Sequence, residues 1–246
     1  MYHIKAQMHV WWNGRHVRLR GVWGNPCKFK SCPGHFHFFQ CFMFFPIYNN
    51  GFDDKVVHSI VNIIENDGVV IIPTDTFYAF ACDVNSVKAA RKLADLKGKK
   101  LEKSDFSIIC EDISMASSYT KPISNEYFRL LKNNTPGAFT FVFEASNLVP
   151  KIFQNKKKCI GIRIPCCDFS LEVVRCLGRP LLVSSIPMND RDFEQYTDSE
   201  LIRDEWEYRV EAIVCGGDLK FESSTVVKCV EGEIEIIRDG CQELVL

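Results

Sequence analysis

From residue 51 onward, hydrophobic and polar positions follow regular periods that predict alternating helices and strands. Over 53–68, valine and isoleucine recur at helical spacing, and the acidic Asp53 and Asp54 favour a helix N-terminus there. Gly68 is then expected to close the helix in the left-handed conformation. The apolar, β-branched run 69–72 follows at once and predicts a buried strand.

The same pattern continues to the end of the chain. Further helices are predicted over 86–100, 125–133 and 170–178, and Gly98 is expected to stop the first of them. Strands are predicted over 106–110, 138–145, 159–165, 180–186 and 211–217, with a closing hairpin over 224–240 that turns at Glu231 and Gly232. Helices that alternate with single strands, followed by a hairpin, predict an α/β fold with a mixed sheet flanked by helices.

The first 50 residues break this pattern. They contain six Lys or Arg and no Asp or Glu, whereas the whole chain is nearly neutral, with a net charge of −1. They show no steady helical or strand period, although they are rich in Phe, Trp and His. This composition break predicts a boundary between Asn50 and Gly51, with a basic, aromatic-rich and poorly ordered extension over 1–50 and one folded domain over 51–246.

Twelve cysteines occur at irregular spacing, and several, such as Cys110 and Cys215, lie within apolar runs. This usage indicates free, buried thiols of a reducing compartment rather than a disulfide framework. The cysteines and histidines between 27 and 41 follow no known zinc spacing, so no metal site is predicted. The aromatic run 36–45 is too short to cross a membrane. We therefore expect a cytoplasmic protein, with organellar targeting by the extension as the alternative.

Small polar side chains stand at the ends of several predicted strands. They are Thr74, Asp75 and Thr76 after the first strand, Ser184 and Ser185 at the end of another, and the run 223–225 before the hairpin. In open α/β folds, ligands bind beyond the carboxyl ends of strands, where loops converge. Each group taken singly is explained as a turn or a cap. Taken together they suit an oxygen-rich ligand, which hydroxyl and backbone N–H donors bind.

Basic side chains supply the complement to these hydroxyl groups. Arg163 lies mid-strand between two isoleucines, and Arg238 lies near the end of the hairpin. A strand arginine must meet a carboxylate, a cavity or solvent, because a guanidinium without a partner is costly to bury. With the lysines at 97, 99 and 100, the two arginines predict a phosphate-binding cavity. The chain has no P-loop, GxGxxG, HExxH or GxSxG motif, so it lacks the usual sequence signatures of nucleotide-binding proteins and hydrolases.

The sequence resembles the YrdC/YciO family in a series of segments that occur in the same order. They are PTDTFYAFACD, LKGKK, FSIIC, NNTPGAFTFVFEA, IGIRIP, GRPLLVSS, and the late GGDLKFESSTVV with EIIRDG. The resemblance spans about 53–240, and its motifs are specific when they are found together in this order. The detail of NNTPGAFTF and the residues after the double serine resemble the YciO branch more closely than YrdC proper.

This resemblance implies a YrdC-like twisted sheet flanked by helices, with a concave basic cavity. It also implies an L-threonylcarbamoyladenylate synthase-like nucleotidyltransferase, which makes threonylcarbamoyl-AMP and pyrophosphate from L-threonine, bicarbonate and ATP, with Mg²⁺. The partners that it implies are these substrates, tRNA or double-stranded RNA, and the proteins of tRNA threonylcarbamoyladenosine modification. No membrane partner is expected.

The resemblance further implies roles for twelve residues of this chain. Catalytic positions fall on Lys97, Lys99 and Ser185. Contacts with the amino-acid substrate fall on Thr74, Thr76 and Ser107. Nucleotide contacts fall on Thr140, Arg163, Ser184, Ser224, Thr225 and Arg238, with the two arginines on the triphosphate side.

The chain departs from the synthases at two of the catalytic positions. The synthases have Lys-x-Arg where this chain has Lys97-Gly98-Lys99. They have Ser-x-Asn where this chain has Ser185-Ile186-Pro187. A lysine does not reproduce the two-pronged guanidinium contact, and a proline offers neither an amide side chain nor an N–H donor. We therefore expect reduced or altered activity. The alternatives are a non-catalytic RNA- or nucleotide-binding module of the YciO type and a site for another phosphorylated metabolite.

Overall fold

The computed structural model describes residues 7–12, 15–20, 42–47, 51–101, 104, 106–153, 158–187, 197–217, 219 and 222–246. For 7–12, 15–20 and 152 it describes the backbone alone. The cysteines and histidines of 27–41 and most of the N-terminal extension lie outside the described residues. The poor order expected of that extension therefore stays a prediction.

The described residues form six helices. Four of them confirm the predicted pattern, namely α1 (Asp54–Glu65), α2 (Val87–Leu96), α4 (Asn125–Asn134) and α5 (Asp168–Leu177). Two shorter helices, α3 (Ile113–Tyr119) and α6 (Ser199–Trp206), were not predicted. Each begins after an aspartate, Asp112 or Asp198, whose carboxylate accepts backbone N–H groups of the first turn. These caps were the sequence signals for both helices.

Twelve strands lie in the described part of the chain. Eight confirm the prediction, namely β4 (Val70–Ile72), β6 (Ser107–Ile109), β7 (Phe139–Glu144), β8 (Cys159–Arg163), β9 (Leu181–Ser185), β10 (Ala212–Cys215), β11 (Thr225–Val230) and β12 (Glu233–Arg238). Four were not predicted, namely β1 (Gln7–Trp12), β2 (Arg15–Arg20), β3 (Met43–Pro46) and β5 (Ala79–Asp83). Every residue of β5 is buried, so the strand lacks the polar alternation that would have revealed it.

Ten of the strands form one mixed sheet, in the order β12-β11-β7-β8-β6-β9-β5-β4-β10-β3. The pairs β11/β7, β6/β8, β10/β4 and β10/β3 are parallel. The other neighbouring pairs are antiparallel. This order confirms the α/β class with a mixed sheet. The strands β1 and β2 form a separate antiparallel pair.

The strand β3 lies before the predicted domain boundary. Its residues pair in parallel with β10, at the edge of the ten-stranded sheet. The backbone N–H of Met43 donates to Glu211 O at 3.0 Å, and that of Ile47 donates to Cys215 O at 2.8 Å. The sheet therefore starts before the boundary predicted between Asn50 and Gly51, because composition does not report strand pairing.

Helices cover both faces of the sheet. On one face, α1 and α5 bury an apolar stripe that includes Ile60 and Val173. On the other face, α2, α4 and α6 bury Leu93, Leu131 and Trp206. Successive strand residues alternate between the two cores, as the pleat requires. The core on both faces leaves the strand ends and their loops to form the site.

The end of α1 differs from the prediction. The left-handed residue is Asp67, with a φ of 61°, so the prediction that Gly68 takes this conformation is wrong. Gly68 donates its N–H to Ile63 O at 2.9 Å. A Cβ atom on Gly68 would lie 2.4 Å from Ile63 Cγ2 and 2.6 Å from Ile63 O. The glycine is needed because the chain passes close to the last turn of α1, and not because of its φ angle.

Replacing Gly68 by alanine is expected to lower the free energy of unfolding by about 1–3 kcal/mol, because the added methyl group overpacks this contact. The control is His58→Ala on the exposed side of α1, which is expected to change that free energy by less than about 0.5 kcal/mol. Urea denaturation followed by far-UV circular dichroism measures both. Equal stability of Gly68→Ala and the parent protein would contradict the close approach.

Candidate functional site

A cavity of about 440 Å³ is lined by seven neighbouring strands, from β12 across the sheet to β5. Seven strands laid flat span roughly 29 Å at the usual strand spacing. Side chains of all seven strands line this one cavity, which agrees with the expected concave site.

Ten of the twelve predicted site residues line this cavity. They are Thr74, Thr76, Lys97, Ser107, Thr140, Arg163, Ser184, Ser185, Ser224 and Arg238. Lys99 is exposed on the turn after α2 and is not among the described lining residues. Thr225 is buried behind the lining, and its hydroxyl donates to Gln242 O at 2.6 Å. The structure thus brings most of the predicted residues together and separates two of them from the cavity.

The Pro-Thr-Asp-Thr turn follows β4 and forms one wall of the cavity. Thr74 Oγ1 donates to Phe77 O at 2.7 Å and accepts the N–H of Thr76 at 3.2 Å. The two threonine hydroxyls lie 3.1 Å apart, and both residues are buried. Pro73 has no N–H to continue the strand, while its carbonyl accepts the Ser170 hydroxyl at 2.7 Å. The small polar side chains therefore fold the turn as well as line the cavity.

Arg163, at the end of β8, is held by the same turn. Its Nη2 donates to Asp75 Oδ1 at 2.5 Å and to Thr76 Oγ1 at 3.1 Å. The side chains of Arg163 and Asp75 are only 12% and 7% exposed. The second carboxylate oxygen of Asp75 accepts the N–H of Cys166 at 3.0 Å. Arg163 Nε is buried and has no hydrogen-bond partner among the described residues.

Arg238 reaches the cavity from the last strand of the hairpin. Its Nε and Nη2 donate to Ser224 O at 3.1 and 2.9 Å, and Nη2 also donates to Ser224 Oγ at 3.1 Å. The Ser224 hydroxyl lies 2.9 Å from that of Thr140. No carboxylate of the described chain pairs with Arg238, so oxygen atoms of Ser224 orient this cation without neutralising it.

Lys97 enters the cavity from the C-terminal end of α2. Its Nζ donates to Ser184 Oγ at 2.5 Å. Gly98 follows with a φ of 65°, which confirms that this glycine stops the helix. Ser184 is buried whereas Ser185 is exposed, as alternation along β9 requires. Both serines line the cavity.

Two residues that the sequence analysis did not single out shape the same cavity. A Cβ atom on Gly161 would lie 2.5 Å from Ser107 Oγ and 3.1 Å from Thr140 Cγ2, so a larger residue would displace side chains of the lining. Tyr78 is fully buried, and its hydroxyl donates to Gly217 O at 2.6 Å and accepts the N–H of Gly216 at 2.8 Å. Both lie inside motifs read from the sequence, but the distant groups that they meet are not visible there.

The lining is basic. Lys97, Arg163 and Arg238 belong to it, and no carboxylate is among the described lining residues. Burial lowers the pKa of Arg163, the Asp75 carboxylate opposes that shift, and the nearby Arg238 cation adds to it. Two cations that disfavour each other favour an anionic ligand between them. The arrangement therefore suits phosphate or carboxylate groups.

Of the cysteines of the described chain, Cys159 is among the residues that line the cavity. All nine of them are free, and Cys82, Cys110, Cys159 and Cys229 are buried. Burial raises the pKa of Cys229 to about 12, which keeps its thiol protonated. Within the described ranges, no group of three His, Cys, Asp or Glu side chains is arranged to hold a metal ion. No helix in those ranges is long and apolar enough to cross a membrane.

The sequence of this chain is similar to those of known proteins. The Sua5/YciO/YrdC family model, described as telomere recombination, matches residues 62–240. An uncharacterized protein of Haemophilus influenzae is 33% identical over 80% of this chain and 95% of its own length. The threonylcarbamoyl-AMP synthase of Mus musculus is 28% identical over 76% of this chain and 68% of its own length.

Solved structures share the fold. The crystal structure of Escherichia coli YciO superposes with a TM-score of 0.74 at 29% identity, over 81% of this chain and 96% of that one. Sua5 of Pyrococcus abyssi, solved in complex with L-threonine, superposes with a TM-score of 0.70 at 19% identity, over 81% of this chain and 57% of that one. These likenesses confirm the YrdC-like fold.

Asp75→Asn is expected to lower the free energy of unfolding by about 3 kcal/mol, because it leaves the buried guanidinium of Arg163 without a counter-charge. Glu144→Gln is the control, because it neutralises a carboxylate whose pair with Lys121 is exposed to solvent. Chemical denaturation compares the two variants. A loss in Asp75→Asn no larger than that of the control would show that the buried pair does not stabilise the fold.

Proposed function

Since the chain belongs to the Sua5/YciO/YrdC family, we propose that it carries out a threonylcarbamoyl-AMP synthase-type reaction. In this reaction L-threonine, bicarbonate and ATP give threonylcarbamoyl-AMP and pyrophosphate. The observation that carries the proposal is a single cavity where Lys97, Arg163 and Arg238 meet several hydroxyl groups, with no carboxylate among the described lining residues. Such a lining suits a polyanionic nucleotide, and a volume of about 440 Å³ lies in the range of small-molecule sites.

The proposed reaction requires little general acid–base catalysis by the protein. The amine of L-threonine forms a C–N bond with carbon dioxide, or with bicarbonate as hydroxide leaves, and loses a proton to give a carbamate. A carbamate oxygen then attacks the α-phosphorus of ATP, and pyrophosphate leaves with the electrons of the broken P–O bond. Charge crowds on the phosphates as this happens. Positioning and electrostatic stabilisation therefore make up most of the proposed contribution of the protein.

The proposed roles follow from the position of each group. Arg163, Arg238 and Lys97 hold the phosphates, because they are the cations of the lining. Thr74 and Thr76, which line the cavity with their hydroxyls 3.1 Å apart, are proposed to contact L-threonine. The remaining hydroxyl groups of the lining contact nucleotide or amino acid, namely Ser107, Thr140, Ser184, Ser185 and Ser224.

Mg²⁺ is proposed to reach the cavity bound to the phosphates of ATP. The ion usually takes a few carboxylates together with phosphate and water oxygens. The described lining residues offer hydroxyl and cationic groups and no carboxylate, so they do not make a magnesium site by themselves. The metal would offset phosphate charge, and the residues of this chain would orient the complex.

Two positions favour a second candidate, a non-catalytic module that binds nucleotide or RNA. Lys99 is exposed and lies outside the described lining, and Pro187 stands where the synthases have asparagine. Binding requires the cations that the cavity retains, whereas turnover also requires the groups that this chain lacks at these positions. In either form we propose that the protein serves tRNA threonylcarbamoyladenosine modification.

Purified protein is expected to release pyrophosphate from MgATP only when L-threonine and bicarbonate are both present. Arg238→Ala is expected to slow this release about tenfold or more, because a hydrogen bond to a charged group contributes about 1.5–3 kcal/mol. The control is Arg91→Ala on the exposed side of α2, which is expected to keep the parent rate. A coupled pyrophosphate assay measures all three proteins.

The outcomes separate the two candidates. Pyrophosphate release that is independent of L-threonine would remove that amino acid as the substrate. Binding of MgATP or of tRNA without any release would favour the non-catalytic module. Tight RNA binding by the chain would be recognised by a steep loss of affinity as salt concentration rises.

A further inference from the structure

The residues after β12 form a segment that crosses back over the turn before β11. We call residues 239–246 the C-terminal strap. The N–H of Gly240 donates to Thr225 Oγ1 at 3.2 Å, and the N–H of Cys241 donates to Ser223 O at 2.9 Å. The hydroxyl of Thr225 donates in turn to Gln242 O at 2.6 Å. The strap is therefore bonded to the residues on both sides of Ser224.

The far part of the strap is bonded to α4 and to the loop before β7. Gln242 Oε1 accepts the N–H of Ala138 at 2.7 Å. Asn134, which is 6% exposed, donates from Nδ2 to Val245 O at 2.7 Å and accepts the N–H of Val245 at 2.9 Å. Leu244 packs against the core. These bonds hold the strap at both of its ends.

Gly240 shows how closely the strap lies on the turn. A Cβ atom at this position would lie 2.3 Å from Thr225 N, 2.4 Å from Ser223 O and 2.4 Å from Ser224 C. All three are backbone atoms, so a side chain at 240 would displace the turn itself. Ser224 and Thr225 are buried beneath this crossing, 5% and 2% exposed.

The turn beneath the strap orients a cation of the cavity. The carbonyl and hydroxyl oxygens of Ser224 accept the hydrogen bonds that Arg238 donates within the described residues, and that arginine has no carboxylate partner among them. A displacement of the Ser224 carbonyl would therefore turn the guanidinium of Arg238. None of the strap residues is among the described residues that line the cavity.

We propose that the C-terminal strap is a positioning element for the phosphate end of the cavity. It fixes the turn 223–225, the turn fixes Ser224 O, and Ser224 O sets the direction of the Arg238 guanidinium. Gly240, Thr225, Gln242 and Asn134 are its positioning residues. For Thr225 this replaces the nucleotide contact expected from the sequence. The identity of the ligand as ATP depends on the proposed function, whereas the mechanical role of the strap does not.

Gly240→Ala is expected to raise the dissociation constant of MgATP about tenfold or more, the loss expected when a charged donor is misdirected. The dissociation constant of L-threonine should stay within about twofold, because the Thr74 turn lies on another strand. The control is Gly232→Ala in the turn of the same hairpin, where φ is 85° and no atom lies within 4 Å of the added Cβ. It strains the hairpin without touching 223–225, and MgATP affinity should be unchanged. Isothermal titration calorimetry measures these constants.

A double-mutant cycle tests whether the strap acts through Arg238. Gly240→Ala in an Arg238→Ala background is expected to cause no further loss of MgATP affinity, because the residue through which it acts is already gone. Full additivity would overturn the proposal. Gln242→Ala, which removes only the bond to Ala138 N, is the second variant if Gly240→Ala does not fold, and it should weaken MgATP binding in the same selective way.

Hydrogen exchange in the absence of ligand separates this proposal from the proposed function. Strap variants are expected to speed amide exchange at 223–227, while Gly232→Ala leaves those amides protected. If the parent protein does not bind MgATP, the proposed function fails, and the exchange result alone decides whether the strap holds the turn. Unchanged amide exchange in the strap variants would overturn the proposal. If the parent protein binds MgATP, strap variants that bind MgATP as tightly as the parent would also overturn it.

Discussion

The cavity depends above all on the buried ion pair between Asp75 and Arg163. Neither side chain is more than 12% exposed, so each charge is stabilised by the other in place of solvation by water. Asp75 lies in the turn after β4 and Arg163 at the end of β8, and the strands β5, β9 and β6 lie between β4 and β8 in the sheet. The 2.5 Å contact therefore brings the turn 73–76 across the strand ends to β8.

The tertiary fold decides the electrostatics of the site. It brings Lys97, Arg163 and Arg238 around one space, although they come from a helix end and two separate strands. Asp75 offsets one of these charges. The contacts of the other two shown here are with uncharged oxygen atoms, Ser184 Oγ for Lys97 and Ser224 for Arg238. For Arg238, these oxygens orient the cation without neutralising it, which suits an anionic ligand.

The family and the catalytic detail are separate matters in this protein. Synthases and YciO are both relatives of this chain, so the family and the fold alone do not establish turnover. Lys99 and Pro187 lie outside the described lining of the cavity. The lining itself holds Lys97, Arg163 and Arg238. Anion binding therefore follows from the side chains of the cavity, whereas turnover belongs to the proposed function.

The sequence by itself determined the elements whose causes are local. Helical spacing determined α1, and Gly98 determined where α2 ends. The pair Glu231 and Gly232, both with positive φ, determined the turn of the final hairpin. Ordered motifs determined the family and ten of the residues that line the cavity. Only the tertiary structure decided that Asp75 is the partner of Arg163 and that Thr225 serves the strap. These outcomes depend on contacts between strands far apart in the chain, and no local period of hydrophobic and polar residues records which distant groups will meet.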